Sequence, residues 1–169
     1  MTIKVALAED SLIVREGIRQ LLDGEPDVEV VAACADPASL LEAMDAAQPD
    51  VVLTDIRMPP SNSDEGIRLA HQLRETHPRT GVVVLSQFSD ATYALALLES
   101  GSDGRAYLLK ERVRDRGQLM TAIKAVAEGG SVIDPKIVEG LVAARARAER
   151  SPLSELTPRE HEVLAQIAQ

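Results

Sequence analysis

Tryptophan is absent from this sequence, and phenylalanine and tyrosine together occur only three times. An interior without rings must be filled by Val, Leu, Ile and Ala, and a hydrophobic content of 45% supplies enough of them for a real core. The single cysteine, Cys34, excludes a disulfide framework and fits a reducing cytoplasm. Its setting in the apolar stretch VEVVAACA predicts a buried, inert thiol rather than a nucleophile. The opening MTIKVALAED has one lysine followed by acids and lacks the apolar run of a secretory signal. No apolar run approaches the length that spans a bilayer, so the expected class is a soluble intracellular protein.

Positive charge is also scarce. The formal net charge is −9, and it is unevenly placed. Residues 1–130 carry 13 Lys and Arg against 21 Asp and Glu, whereas residues 131–169 carry 5 against 6. The first region therefore repels phosphate backbones and is a poor nucleic-acid binder by itself. It is the place to look for a cation site.

What is present is a regular alternation. Apolar runs at 3–9, 28–34, 51–55, 81–86 and 104–110 read as strands. Each is followed by a helical pattern. The first has Val14, Ile18, Leu21 and Leu22 on one face, and the second, PASLLEAMDAA, has Pro37 in its first turn. The third, at about 65–76, has Ile67, Ala70 and Leu73 on one face, and the fourth is ATYALALLES. The fifth carries Leu119, Ile123, Val126 and Ala127 and stops at Gly129-Gly130. Five β-α units with short links predict a doubly wound α/β fold, a five-stranded parallel sheet with helices on both faces.

After Gly130 the rhythm changes. Asp134 and Pro135 open a helix whose stripe is Ile137, Val138, Leu141 and Val142. The segment RARAERSPLSE reads as a helix end or linker. In LTPREHEVLAQIAQ, Thr157 and Glu160 form a capping box for a further amphipathic helix. The expected organisation is a main domain over 1–130, a linker helix over 131–152, and over 153–169 the incomplete start of a second domain.

In a doubly wound parallel sheet, ligands sit beyond the carboxyl ends of the strands. There the first strand ends in Glu9 and Asp10, the third in Asp55, the fourth in Ser86, and the fifth carries Tyr107 and ends in Lys110. Each alone has an ordinary explanation: a helix cap, a turn former, a surface lysine. Together they bring three carboxylates, a hydroxyl and an ammonium to one edge. Carboxylates so gathered repel one another and demand a counter-cation, and all-oxygen ligation with room for water suits Mg²⁺. A carboxylate beside Mg²⁺ is able to attack phosphorus and form an aspartyl-phosphate, with Lys110 and Ser86 on the phosphoryl oxygens.

These residues resemble the receiver domain of two-component response regulators, in the LuxR/NarL-type transcriptional branch. AEDS near the start, DIRMP after the third strand, VLS closing the fourth and YLLK on the fifth match that family's motifs in order, over about residues 1–130. The resemblance implies a flavodoxin-like strand order of 2-1-3-4-5, and Asp55 as the residue phosphorylated by a sensor histidine kinase. It further implies Mg²⁺ held by Glu9, Asp10, Asp55 and the backbone carbonyl of Arg57, with Ser86 and Lys110 on the phosphate and Tyr107 as the aromatic switch following Ser86 inward. The surface made by the fourth helix, fifth strand and fifth helix would then control a homodimer. LTPREHEVLAQIA resembles the opening of a LuxR-type helix-turn-helix, so DNA would be bound by the C-terminal domain of the intact protein, not by this chain. In this reading the chain is cytoplasmic and no enzyme, but a phosphoacceptor switch that catalyses its own phosphoryl transfer and dephosphorylation.

Two departures stand out. The loop RMPPSNSDEG is longer than the family's usual turn and is expected to have a polar, mobile tip at 61–63. Gln87 follows Ser86 where the family keeps a small residue. Rival readings of the same edge are an interaction module that signals without phosphorylation, a phosphatase of the haloacid-dehalogenase type and a flavodoxin-like nucleotide binder. The phosphatase needs a second aspartate two residues after the first, where this chain has Arg57, and AEDSLIVREG offers no glycine-rich phosphate cradle.

Overall fold

The structure, a computed structural model, describes residues 2–87 and 91–150. The strands are β1 (Ile3–Ala8), β2 (Val28–Cys34), β3 (Val51–Asp55), β4 (Gly81–Ser86), β5 (Arg105–Leu109) and β6 (Val132–Ile133). The helices are α1 (Leu12–Asp23), α2 (Pro37–Ala47), α3 (Glu65–Thr76), α4 (Ala91–Leu98), α5 (Arg116–Ala127) and α6 (Pro135–Arg150). All strands are parallel, in the order β2-β1-β3-β4-β5-β6.

The apolar runs form the middle of the sheet because they are covered on both faces. On one face Val5, Leu7, Leu53, Val83 and Leu85 pack with Ile18 and Leu22 of α1 and Leu119, Ile123 and Val126 of α5. On the other, Ala6, Val52, Val84 and Tyr107 pack with Leu40 and Met44 of α2, Leu73 of α3, Leu97 of α4 and Ile137 of α6. Period-2 alternation along each strand feeds both layers. Full burial of one such Leu stabilises the fold by about 1.5–3 kcal/mol, which lets aliphatic residues replace the missing rings. Arg105, which opens β5, is also buried; its guanidinium donates to the carbonyls of Ala70 (2.9 Å), Gly104 (3.0 Å) and Thr80 (3.4 Å).

Several expectations are corrected. A sixth strand extends the order: Val132 and Ile133 pair with Ala106 and Tyr107. Two residues are too few to show a period, but β5 would otherwise present an open edge for them to close. β1 ends at Ala8 and β5 at Leu109, each one residue earlier than the apolar run suggests, and a 3₁₀ turn occupies Lys110–Arg114. The α6 stripe divides: Ile137 is buried and Leu141 packs beside it, while Val138 and Val142 are exposed. Cys34 is half-buried rather than interior; burial pushes its thiol up, with nearby Asp36 adding to that, so the expected inertness has a physical basis. Among the described residues no helix is long and apolar enough to cross a membrane. The expected second-domain start at 153–169, with Thr157 and Glu160, lies outside the described residues.

Candidate functional site

Strand register decides which carboxyl-end residues meet. Ala8 lies level with Thr54, and Asp55 with Leu85, so Glu9 and Asp55 stand at one level just past the β1 and β3 ladders. Ser86 pairs with Leu109, and Lys110 follows directly. Glu9, Asp10, Asp55, Arg57, Ser86 and Lys110 all line one cavity of about 270 Å³. Tyr107 does not line it: paired with Val84, it sits one register row inside the Asp55 level and is fully buried.

The local sequence builds this edge. Ser11 caps α1, its hydroxyl accepting from Val14 N–H, and its own N–H donates to Glu9 Oε1 at 3.2 Å. Arg15 donates to the Glu9 carbonyl at 2.8 Å. Asp55 Oδ1 accepts the Ile56 N–H at 2.8 Å. Helix α3 begins hard against the end of β3, with Gly66 N–H donating to the Ile56 carbonyl at 2.8 Å. A Cβ on Gly66 would stand 2.0 Å from the Asp55 carbonyl oxygen, so glycine alone permits that approach.

Electrostatically the pocket is underneutralised. Lys110 Nζ lies 3.2 Å from Glu9 Oε2 and 3.2 Å from Asp55 Oδ2, one ammonium shared by two carboxylates. Burial raises the Asp55 carboxyl above its ordinary range; Lys110 and the Ile56 N–H pull the other way, and Asp10 pushes it up again. Burial and the neighbouring charge of Asp55 raise Glu9 likewise, against Lys110. One oxygen from each of Glu9, Asp10 and Asp55 falls within 4.8 Å of the others. An all-oxygen cluster with surplus negative charge and an open mouth fits a hard divalent cation such as Mg²⁺.

Sequence reasoning missed Tyr93 and Glu65. Arg57 Nε donates to Tyr93 Oη at 3.3 Å, and its guanidinium carbon lies 5.8 Å from the ring centroid, so α4 is tied to the pocket rim. Glu65 organises the long loop that was expected to be mobile. Its buried carboxylate accepts from Ser61 N–H (2.9 Å), Ser63 N–H (2.7 Å), the Ser61 hydroxyl and Arg68 (3.1 Å). Burial pushes it up, but these donors outweigh that and hold the carboxyl at about 2. Pro59-Pro60 is joined by a cis peptide bond and Asn62 has φ 51°, the left-handed region asparagine tolerates. The signal was visible as an acid just past a Ser-Asn-Ser turn, but nothing local said that it would face inward.

A sequence profile of the response regulator receiver domain matches residues 5–124. The transcriptional regulatory protein DegU of Brevibacillus brevis is 35% identical over 179 residues, spanning 96% of this chain and 73% of that protein. The oxygen regulatory protein NreC of Staphylococcus carnosus is 32% identical over 172 residues, spanning 98% and 76%. The crystal structure of a LuxR-family two-component response regulator from Aurantimonas superposes with a TM-score of 0.72 at 25% identity, spanning 86% of this chain and 99% of that one. With the motifs in order along the chain, six of the seven predicted residues gathered around one acidic pocket and the sheet order extended by a single strand, the chain belongs to the response regulator receiver family, in its LuxR/NarL-type branch.

Proposed function

We propose that the chain is a phosphoacceptor switch in which Asp55 receives a phosphoryl group from a sensor histidine kinase. The observation that carries this is the shared ammonium: Lys110, 3.2 Å from both Glu9 and Asp55, lines a cavity where three carboxylates converge. Glu9, Asp10 and Asp55, with the Arg57 carbonyl, would hold Mg²⁺, which when bound supplies charge neutralisation between phosphoryl oxygens and carboxylates. The chain's own residues do the rest. Asp55 provides the attacking oxygen, forming an O–P bond as the bond from phosphorus to the kinase imidazole nitrogen breaks. Lys110 pairs with the phosphoryl oxygens in place of the carboxylates, and Ser86 donates a hydrogen bond to one of them. Transfer is stoichiometric rather than enzymatic, and the same pocket hydrolyses the acyl phosphate to reset the switch.

Phosphorylation replaces one negative charge by nearly two and adds strong acceptors, so the pocket's neighbours must respond. The homodimer expected on the α4, β5 and α5 surface meets the chain's own β6 and α6 there. The exposed Val138 and Val142 of α6 would be available to extend such a dimer contact. In the intact cytoplasmic protein it would pair DNA-binding domains and so control transcription.

The test is intact mass after acetyl phosphate and Mg²⁺, with oligomeric state followed in parallel. The wild type should gain one phosphoryl group and Asp55→Asn none; labelling that persists in Asp55→Asn overturns the assignment.

A further inference from the structure

Three carboxylates are buried among the described residues. Glu9 belongs to the pocket and Glu65 to the loop. The third, Asp134, is 0% exposed and lies outside both. Its partners are unusual for a simple helix cap. Oδ2 accepts the Leu109 N–H at 3.2 Å and Arg112 Nε at 3.0 Å, while Oδ1 accepts Arg112 Nη2 at 3.3 Å and the Lys136 N–H at 3.0 Å. Its own N–H continues the sheet by donating to the Tyr107 carbonyl at 2.8 Å. One side chain therefore grips the last residue of β5, the 3₁₀ turn after it, and the first turn of α6.

The placement gives this grip a consequence. Leu109 directly precedes Lys110, whose ammonium bridges Glu9 and Asp55 at 3.2 Å each. Arg112 lies two residues further along the same 3₁₀ turn. The segment that carries Lys110 is thus held by Asp134 on both sides.

We propose that Asp134 is a positioning residue for Lys110 and the joint through which the state of the Asp55 pocket reaches α6. This rests on the reading of Asp55 as phosphoacceptor. When phosphoryl oxygens draw the Lys110 ammonium off Glu9, the pull is transmitted to the Leu109–Lys110 peptide and the 3₁₀ turn. A buried carboxylate does not readily part with its partners, so Asp134 follows, and the α6 turn it caps shifts with it. The second link between the turn and α6, Lys136 with Glu111 at 2.6 Å, has both side chains about half exposed and adds little. α6 leads to the remainder of the chain, so its first turn is where a receiver state becomes an output.

Amide hydrogen exchange over residues 135–146 of the full chain, with and without beryllium fluoride and Mg²⁺, tests this beside acetyl-phosphate labelling followed by intact mass. In the wild type, exchange in this segment rises severalfold on loading. Asp134→Asn keeps the side chain's size and an oxygen for the helix start. It shows the raised exchange before loading, no further rise on loading, and labelling of Asp55 slowed about tenfold, because Lys110 is no longer held in register. Arg112→Gln, at a partly exposed position, gives the same pattern and replaces Asp134→Asn if that variant does not fold; protection in β1, β3 and β4 certifies the fold of each. A cap with only a structural role would raise α6 exchange but leave the response to loading and the labelling rate as in the wild type. That result overturns the proposal, as does a wild-type α6 that does not respond. A wild-type chain that never takes up label overturns the Asp55 reading, and this proposal with it.

Discussion

Asp55 and Glu65 stand at the two ends of one loop, both acids withdrawn from water, and their surroundings push them in opposite directions. Asp55 is raised by burial and by Asp10, and shares its ammonium with Glu9. Glu65 has donors from Ser61, Ser63 and Arg68 and is held at about 2. The first is a carboxylate that shares one ammonium with a second acid, as the proposed phosphoacceptor role would require. The second is fully satisfied and fixes backbone. Burial alone does not mark a reactive acid; the balance of partners does.

The largest effect should come from removing the single ammonium on the reactive side. Lys110→Gln is expected to slow labelling of Asp55 about a hundredfold, the scale for losing one preorganised charge-stabilising donor. A stopped-flow or mass time course with acetyl phosphate checks it, and a rate within twofold of wild type would erase the contrast with Glu65.

On the satisfied side, Glu65→Gln keeps the shape and loses the charge. The expected cost is about 2 kcal/mol of unfolding free energy in a urea titration, typical of hydrogen bonds to a charged group. The pH dependence carries the same signature. A carboxyl at about 2 in the fold and 4.5 ordinarily gives stability that is present above 4.5 and lost as pH falls through about 2. The wild type should therefore lose more stability over that window than Glu65→Gln does. Parallel curves would show that the loop is held otherwise.

The smallest expected effect is Ser61→Ala, which removes the hydroxyl from Glu65 but leaves the Ser61 N–H bond in place. About 1 kcal/mol is expected, with the rate of Asp55 labelling unchanged. A labelling defect here would mean that the loop and the pocket act as one unit.

How much of this was legible beforehand depends on range. The five main strands follow from runs of Val, Leu, Ile and Ala, and Glu9, Asp10, Asp55, Arg57, Ser86 and Lys110 could be placed because they sit at or just past strand ends. β6 was not legible, since Val132 and Ile133 acquire a strand partner only where β5 ends the sheet. The split of the α6 stripe was not legible either. Ile137 and Leu141 face the core while Val138 and Val142 face solvent, and that choice belongs to how α6 lies over α4. Tyr107 was legible as a β5 residue, and the register places it one row inside the Asp55 level.

The sequence by itself determined the alternating α/β architecture and the gathering of Glu9, Asp10, Asp55, Ser86 and Lys110. Both follow from short-range periodicity and from the rule that parallel strands present their carboxyl ends together. Only the tertiary structure decided that Glu65 turns inward to hold its loop, that Arg57 rests on Tyr93, and that Asp134 binds Arg112 and the Leu109 N–H. Those pairings depend on distances between side chains on separate turns and helices. A one-dimensional pattern does not encode such distances until the core has set where each element lies.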